Sequence, residues 1–191
     1  MIDEKSFAQI KARLEGFDDK RELVIKRTRD VLKNSKQCIY ALNRGEATKA
    51  EKNLSQMKKI KKEIDGLIAD EPRLRYVGSY KVCCQEYVEA AAYMDFVAGK
   101  NTPGFAELGV EVEEYLLGLC DLSGELVRKA VADSIKSDAE SVNKVLTYIE
   151  GLYGQLLELN PQGELRKKID MVRWNLNKVE DLILDGKSRL M

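Results

Sequence analysis

The sequence predicts an all-α protein, and three observations carry that prediction. Apolar residues recur at spacings of three and four along almost the whole chain, the period of an amphipathic helix. No stretch alternates with the period of two that marks a half-buried strand. Only three prolines and 13 glycines occur in 191 residues, too few for the many turns of an all-β fold. The length suits one domain spanning residues 1–191, large enough to bury a core without disulfide or metal staples.

The elements follow in order. Phe7, Ile10 and Leu14 predict a short amphipathic helix over 3–15, with Gly16 as a stop and Asp18–Asp19 as a new N-cap. Leu23, Ile25, Val31, Leu32, Ile39 and Leu42 predict a basic helix over 19–43, ended by the Asn43-Arg44-Gly45 C-cap signal. Ala50, Leu54, Met57, Ile60, Ile64 and Leu67 predict a third over 46–69, with Lys58, Lys59, Lys61 and Lys62 on its polar face. Pro72 ends or resets it. Residues 76–98 are apolar nearly all round, as expected of a helix buried on several sides. Residues 100–104 read as a loop. A second mostly apolar helix covers 111–135, with Gly118 and Gly124 as candidate bends. Helices over 138–159 and 163–186, separated by Asn160-Pro161, complete a set of six or seven.

The chain contains no histidine. That excludes Ser-His and Cys-His nucleophile pairs, imidazole bases, His-containing zinc sites and the E-x-x-H words of ferritin-like di-iron proteins. Cys38, Cys83, Cys84 and Cys120 form no C-x-x-C pair and read as small apolar residues in a reducing compartment. The opening MIDEKSFAQI has neither the basic nor the apolar region of a secretory signal. No apolar stretch is long enough to span a bilayer, so the expected location is cytoplasmic.

Charge is balanced in number and uneven in place. Residues 1–76 hold 19 basic against 13 acidic side chains, whereas residues 77–163 hold 6 against 14. A basic N-terminal part can supply phosphate contacts, with Lys20, Arg21, Arg27, Lys36 and Arg75 as candidates. An acidic middle can hold a cation. Segregated but merely solvated helix faces would look the same.

Two pairs of acids stand inside the two most apolar helices. Glu86 and Glu89 are three apart and Asp121 and Glu125 four apart, so each pair shares one helix face. Burying a carboxylate alone costs several kcal/mol, and four together repel one another. If the two helices face each other, a bound divalent cation resolves both costs. Oxygen-only ligation favours Mg²⁺ or Mn²⁺ over Zn²⁺. If they do not, the acids face solvent, an oligomer interface or distant cations. Arg128 sits three residues after Glu125, placed either for an ion pair with it or for a phosphate beside a metal. Tyr76, Tyr80, Tyr87 and Tyr93 read as core or interface, with base stacking as the other option.

QEYVEAAAY at 85–93 and EYLLGLCDLSGELVRKAV at 114–131 resemble the translin family, and the branch of translin-associated factor X more than translin itself. DKRELVIKRTRDVLKNSKQCIYALNR at 19–44 resembles the basic first long helix of that branch. Together the similarity covers most of residues 19–186. It implies a seven-helix protomer, assembly into hollow octamer-like shells, and binding of RNA or single-stranded DNA on the inner surface. It also implies a Mg²⁺-dependent endoribonuclease site at the positions of Glu86, Glu89, Asp121 and Glu125, all four of which are retained. The chain is shorter than eukaryotic members and compact over 99–110, which implies a prokaryotic-type version that assembles with itself. The other expectation is a binding shell of translin type without catalysis.

Overall fold

The computed structural model describes residues 2–188. Among these the chain forms seven α-helices and no strand: α1 Glu4–Asn43, α2 Ala47–Asp70, α3 Gly78–Val97, the short α4 Phe105–Leu108, α5 Val112–Ile135, α6 Ala139–Leu157 and α7 Gly163–Ser188. A 3₁₀ turn, Pro72–Tyr76, links α2 to α3. The all-α, seven-helix expectation therefore holds.

One expected boundary does not exist. The helices anticipated over 3–15 and 19–43 are a single α1 of 40 residues, about 60 Å long. Gly16 costs about 1 kcal/mol relative to Ala in a helix, but nothing else interrupts the backbone. Asp18 takes no cap position; its carboxylate accepts from Arg21 one turn on, at 3.5 Å. The side chain that caps α1 is that of Asp3, accepting from the Lys5 amide at 3.1 Å. Phe17 packs against the core, and the Arg73 guanidinium lies 4.5 Å from its ring centroid, which ties the middle of α1 to the 3₁₀ turn. Before that point Phe7, Ile10 and Leu14 are exposed, an apolar stripe that the described residues leave uncovered.

The expected stop after Asn43 is real. Gly45 takes φ +74°, and the Glu46 amide reaches back to the Ala41 carbonyl at 2.9 Å. Pro72 ends α2 as expected, and Leu74 of the 3₁₀ turn is fully buried. Lys61 departs from its expected place on a solvated face. It is buried, and its ammonium donates to Asp65 Oδ2 and to the Gly109 carbonyl, each at 2.7 Å. It thereby pins the return segment 98–111 to α2.

The helices α1 and α2 form an antiparallel hairpin, marked by Cys38 against the Ala50 carbonyl and by Arg27 beside Glu63. By contrast α3 and α5 run in the same direction. Lys81 stands beside Glu114, and Gly118 lies against Gln85 and Val88. Parallel helices need a crossing segment, and residues 98–111 supply it. That segment is fastened by Thr102 to the Tyr148 hydroxyl and by the Tyr115 hydroxyl donating to the Pro103 carbonyl, both at 2.9 Å. After the α5–α6–α7 turns, α7 again runs parallel to α5, with Asn175 donating to Ser123 Oγ at 2.8 Å.

Gly118 and Gly124 do not break α5, which continues through both. Gly118 instead sets the distance to α3: an added Cβ would lie 2.6 Å from the Gln85 carbonyl oxygen and 2.7 Å from Val88 Cβ. Leu122 and Leu126 beside it are fully buried, each contributing about 1.5–3 kcal/mol of apolar burial. The near-uniform apolar character of α3 and α5 is thus largely absorbed inside the protomer. Val131 and Ile135 of α5 stay exposed, and further apolar side chains stand exposed on the start of α1 and at Met171 and Trp174 of α7.

Candidate active site

The close approach at Gly118 brings the acidic pairs of α3 and α5 level with each other. Glu86, Glu89, Asp121 and Glu125 are all half-buried. Glu89 feels the other three directly. Its carboxyl is pushed up to about 8, first by burial and then by Glu86, Asp121 and Glu125, with Lys168 opposing. Burial and like charge act together here, because each disfavours the ionised form.

The remaining carboxylates are partly satisfied. Glu125 Oε1 accepts from Arg128 at 3.0 Å, the i,i+3 ion pair that the spacing allowed. Its second oxygen, Oε2, is buried with no hydrogen-bond partner among the described residues. Asp121 Oδ1 accepts from the ammonium of Lys168, which reaches in from α7. Glu86 and Glu89, together with Glu125 and Arg128, line a cleft of about 250 Å³ closed on its far side by Lys36, Ile39, Tyr40 and Asn43 of α1. Asn43 is held by Tyr93, whose hydroxyl donates to Asn43 Oδ1.

Among the described residues no three acid or cysteine side chains are drawn together into a ready metal-ligand group. The donor set nevertheless fits a hard divalent cation. It is oxygen-only, as Mg²⁺ and Mn²⁺ prefer. A cation in the cleft would give Glu125 Oε2 the partner it lacks and would favour the ionised form of Glu89.

Of the basic side chains expected to contact phosphate, Lys36 and Arg128 share the cleft with the acids. Lys20, Arg21 and Arg27 lie further toward the start of α1; Lys20 precedes Lys36 by 16 residues, about 24 Å along the helix. Arg21 pairs with Asp18 at 3.5 Å, and Arg27 with Glu63 at 3.4 Å. Arg75 sits in the 3₁₀ turn, ion-paired to Glu111. Among the four tyrosines considered for stacking, Tyr87 and Tyr93 are core, Tyr80 donates to Asp65 Oδ1 at 2.9 Å, and Tyr76 is exposed.

Three residues of the site escaped the sequence reading. Tyr40 and Asn43 follow Lys36 at spacings of four and three, so their shared face was legible. Lys168 lies 47 residues from Asp121, and no local pattern pointed to it. This is one of the distant cations that the sequence allowed for, and it comes from α7.

A protein-family model described as the translin family matches residues 19–189. The translin-associated protein X homolog of Schizosaccharomyces pombe is 23% identical, over 94% of this chain and 86% of its own length. The crystal structure of apo-NeC3PO superposes with a TM-score of 0.89 at 27% identity, covering 97% of this chain and 98% of its own. A structure of AfC3PO in complex with duplex RNA gives a TM-score of 0.77 at 25% identity, covering 96% and 97%.

Proposed function

The chain belongs to the translin family, and from that premise we propose that it is a Mg²⁺-dependent endoribonuclease acting within a hollow homo-oligomeric shell, most simply an octamer. The observation that carries this reading is the carboxylate cluster. Glu89 is pushed up to about 8 by burial and by three neighbouring acids, and Glu125 keeps a buried oxygen without a partner. A protein gains nothing in stability from such a group, whereas a cation site needs one. The duplex RNA held by a structural neighbour supports RNA as the ligand. The open apolar faces of α1 and α7 support self-association.

In this reading Glu86, Glu89, Asp121 and Glu125 hold the ion. Bound there, Mg²⁺ supplies Lewis-acid polarisation of the phosphodiester and acidifies water. Arg128 and Lys36 hold phosphate oxygens at the rim of the cleft. Glu125 or Glu86 orients the attacking water and accepts its proton. Water adds to phosphorus, the 3′ oxygen leaves and takes up a proton, and the fragments carry a 5′-phosphate and a 3′-hydroxyl. The chain has no histidine pair for the alternative route through a 2′,3′-cyclic phosphate.

A second reading is a shell that binds RNA or single-stranded DNA without cutting it. The cations already seated on Asp121 and Glu125 favour it. One experiment separates the two: purified protein incubated with labelled single- and double-stranded RNA, in Mg²⁺ or in EDTA. Cleavage in Mg²⁺ that stops in EDTA is expected. Binding without cleavage in either condition would leave the shell reading in place.

A further inference from the structure

Lys168 is a feature of the acidic cluster that a metal site does not call for. Its ammonium donates to Asp121 Oδ1 across 47 residues of sequence. Its side chain is 24% exposed, against 73% for Arg128, the cation on Glu125. Lys168 also acts beyond its partner: its charge opposes the upward push on Glu89 and on Cys120. It enters on α7, from outside the α3–α5 pair that carries the acids.

We propose that Lys168 is an internal stand-in for the metal, holding Asp121 while the cleft is without a divalent cation and giving it up when one binds. The proposal rests on the reading of the four acids as a metal site. The physical argument is one of charge. Half-buried acids on facing helices repel one another, and an ammonium seated on one of them offsets that repulsion. A lysine ammonium is a compact charge on a flexible four-carbon stem, able to hold one oxygen and to swing away. An arginine would grip the carboxylate with two parallel hydrogen bonds and would compete harder. The entering ion therefore has to take Asp121 from a resident cation, and metal affinity is set by that exchange. Released, the ammonium stays tethered beside the cleft, where a phosphate would take it up.

The test compares wild type, Lys168→Gln and Lys168→Arg, with Mn²⁺ binding measured by calorimetry and thermal unfolding followed with and without Mg²⁺. Lys168→Gln is expected to melt lower than wild type without metal. It should bind Mn²⁺ about 5–10-fold tighter, within the range typical of coupled sites, and should gain more in melting temperature from Mg²⁺. Lys168→Arg is expected to keep the metal-free melting temperature and to bind Mn²⁺ no better than wild type. An equal drop in melting temperature with and without Mg²⁺, at unchanged Mn²⁺ affinity, would make Lys168 a purely structural tie and overturn the proposal while leaving the metal site intact. Absence of Mn²⁺ binding in both wild type and Lys168→Gln would overturn the metal-site reading and this proposal together. A second measurement uses wild-type protein alone. Acylation of Lys168, quantified by mass spectrometry, should speed up several-fold on adding Mg²⁺, and an unchanged rate would count against release of the ammonium.

Discussion

Gly118 of α5 lies against Val88 of α3 so closely that a methyl group at position 118 would stand 2.7 Å from Val88 Cβ. This contact, more than any property of the acids themselves, decides whether the two carboxylate pairs act on one another. Replacing Gly118 with Ala should push the helices apart, because no rotamer change moves Val88 Cβ or the Gln85 carbonyl oxygen, at a cost of about 1–3 kcal/mol. Each kcal/mol corresponds to roughly 2–4 °C in melting temperature for a chain of this size. Mn²⁺ affinity should fall as well, because the acids of α3 and α5 no longer meet. Unaltered melting and metal binding in Gly118→Ala would refute the role of this approach.

Exchanging Glu89 for Gln keeps the shape and removes the charge that its surroundings resist. Metal-free Glu89→Gln should melt higher than wild type above pH 8, still bind RNA, and lose cleavage by about 10²-fold or more. Asp121→Asn should lose cleavage too, but with the opposite effect on stability. It strips Lys168 of its partner, so the metal-free variant should melt lower. Full cleavage in both variants would remove the catalytic assignment.

The raised carboxyl of Glu89 makes a prediction about pH. Its folded value of about 8 lies above the ordinary 4.5, so the folded protein holds a proton there that the unfolded chain releases. That contribution is complete below about pH 4.5 and is lost as pH rises toward and through 8. Without metal, the Glu89 share of stability should therefore decline between pH 5 and 8. Mg²⁺ should restore it at the alkaline end, since metal binding displaces the proton. Thermal melts of wild type and Glu89→Gln across this range, with EDTA and with Mg²⁺, check both parts. Parallel curves for the two proteins would show that Glu89 does not titrate there.

Phosphate contacts should divide by position along α1. Lys36→Ala and Arg128→Ala each remove a cation that lines the acidic cleft. Each should weaken RNA binding and lower the salt slope by about 1. Arg21→Ala and Arg27→Ala should do less, because those guanidiniums lie further toward the start of α1 and do not line the cleft. Filter binding at several salt concentrations would measure all four. Equal losses at all four positions would place the nucleic acid along the whole of α1 and not at the cleft.

Much of this was legible in the chain. Helix periods, the end of α1 at Gly45 and the end of α2 before Pro72 follow from side-chain spacing and backbone chemistry within a few residues. So does the Arg128–Glu125 pair, because residues three apart on a helix are neighbours in any fold. The placing of Glu86 with Glu89, and of Asp121 with Glu125, on shared faces needs nothing more. The false stop at Gly16 shows the limit of the same reasoning. A glycine weakens a helix locally, but Phe17, packed on the core and beneath Arg73, holds the chain helical past it.

What the sequence alone determined was therefore local: which segments are helical, and which side chains share a face of each. The tertiary structure decided that α3 and α5 run parallel, in a register set by Gly118. A slip of one turn, about 5.4 Å, would separate the acidic pairs. It also buried Lys61 and carried Lys168 from α7 to Asp121. These outcomes depend on which surfaces all the helices bury at once. Coulomb forces at the cleft act through space, so the cation that matters most to Asp121 is one that sequence distance hides.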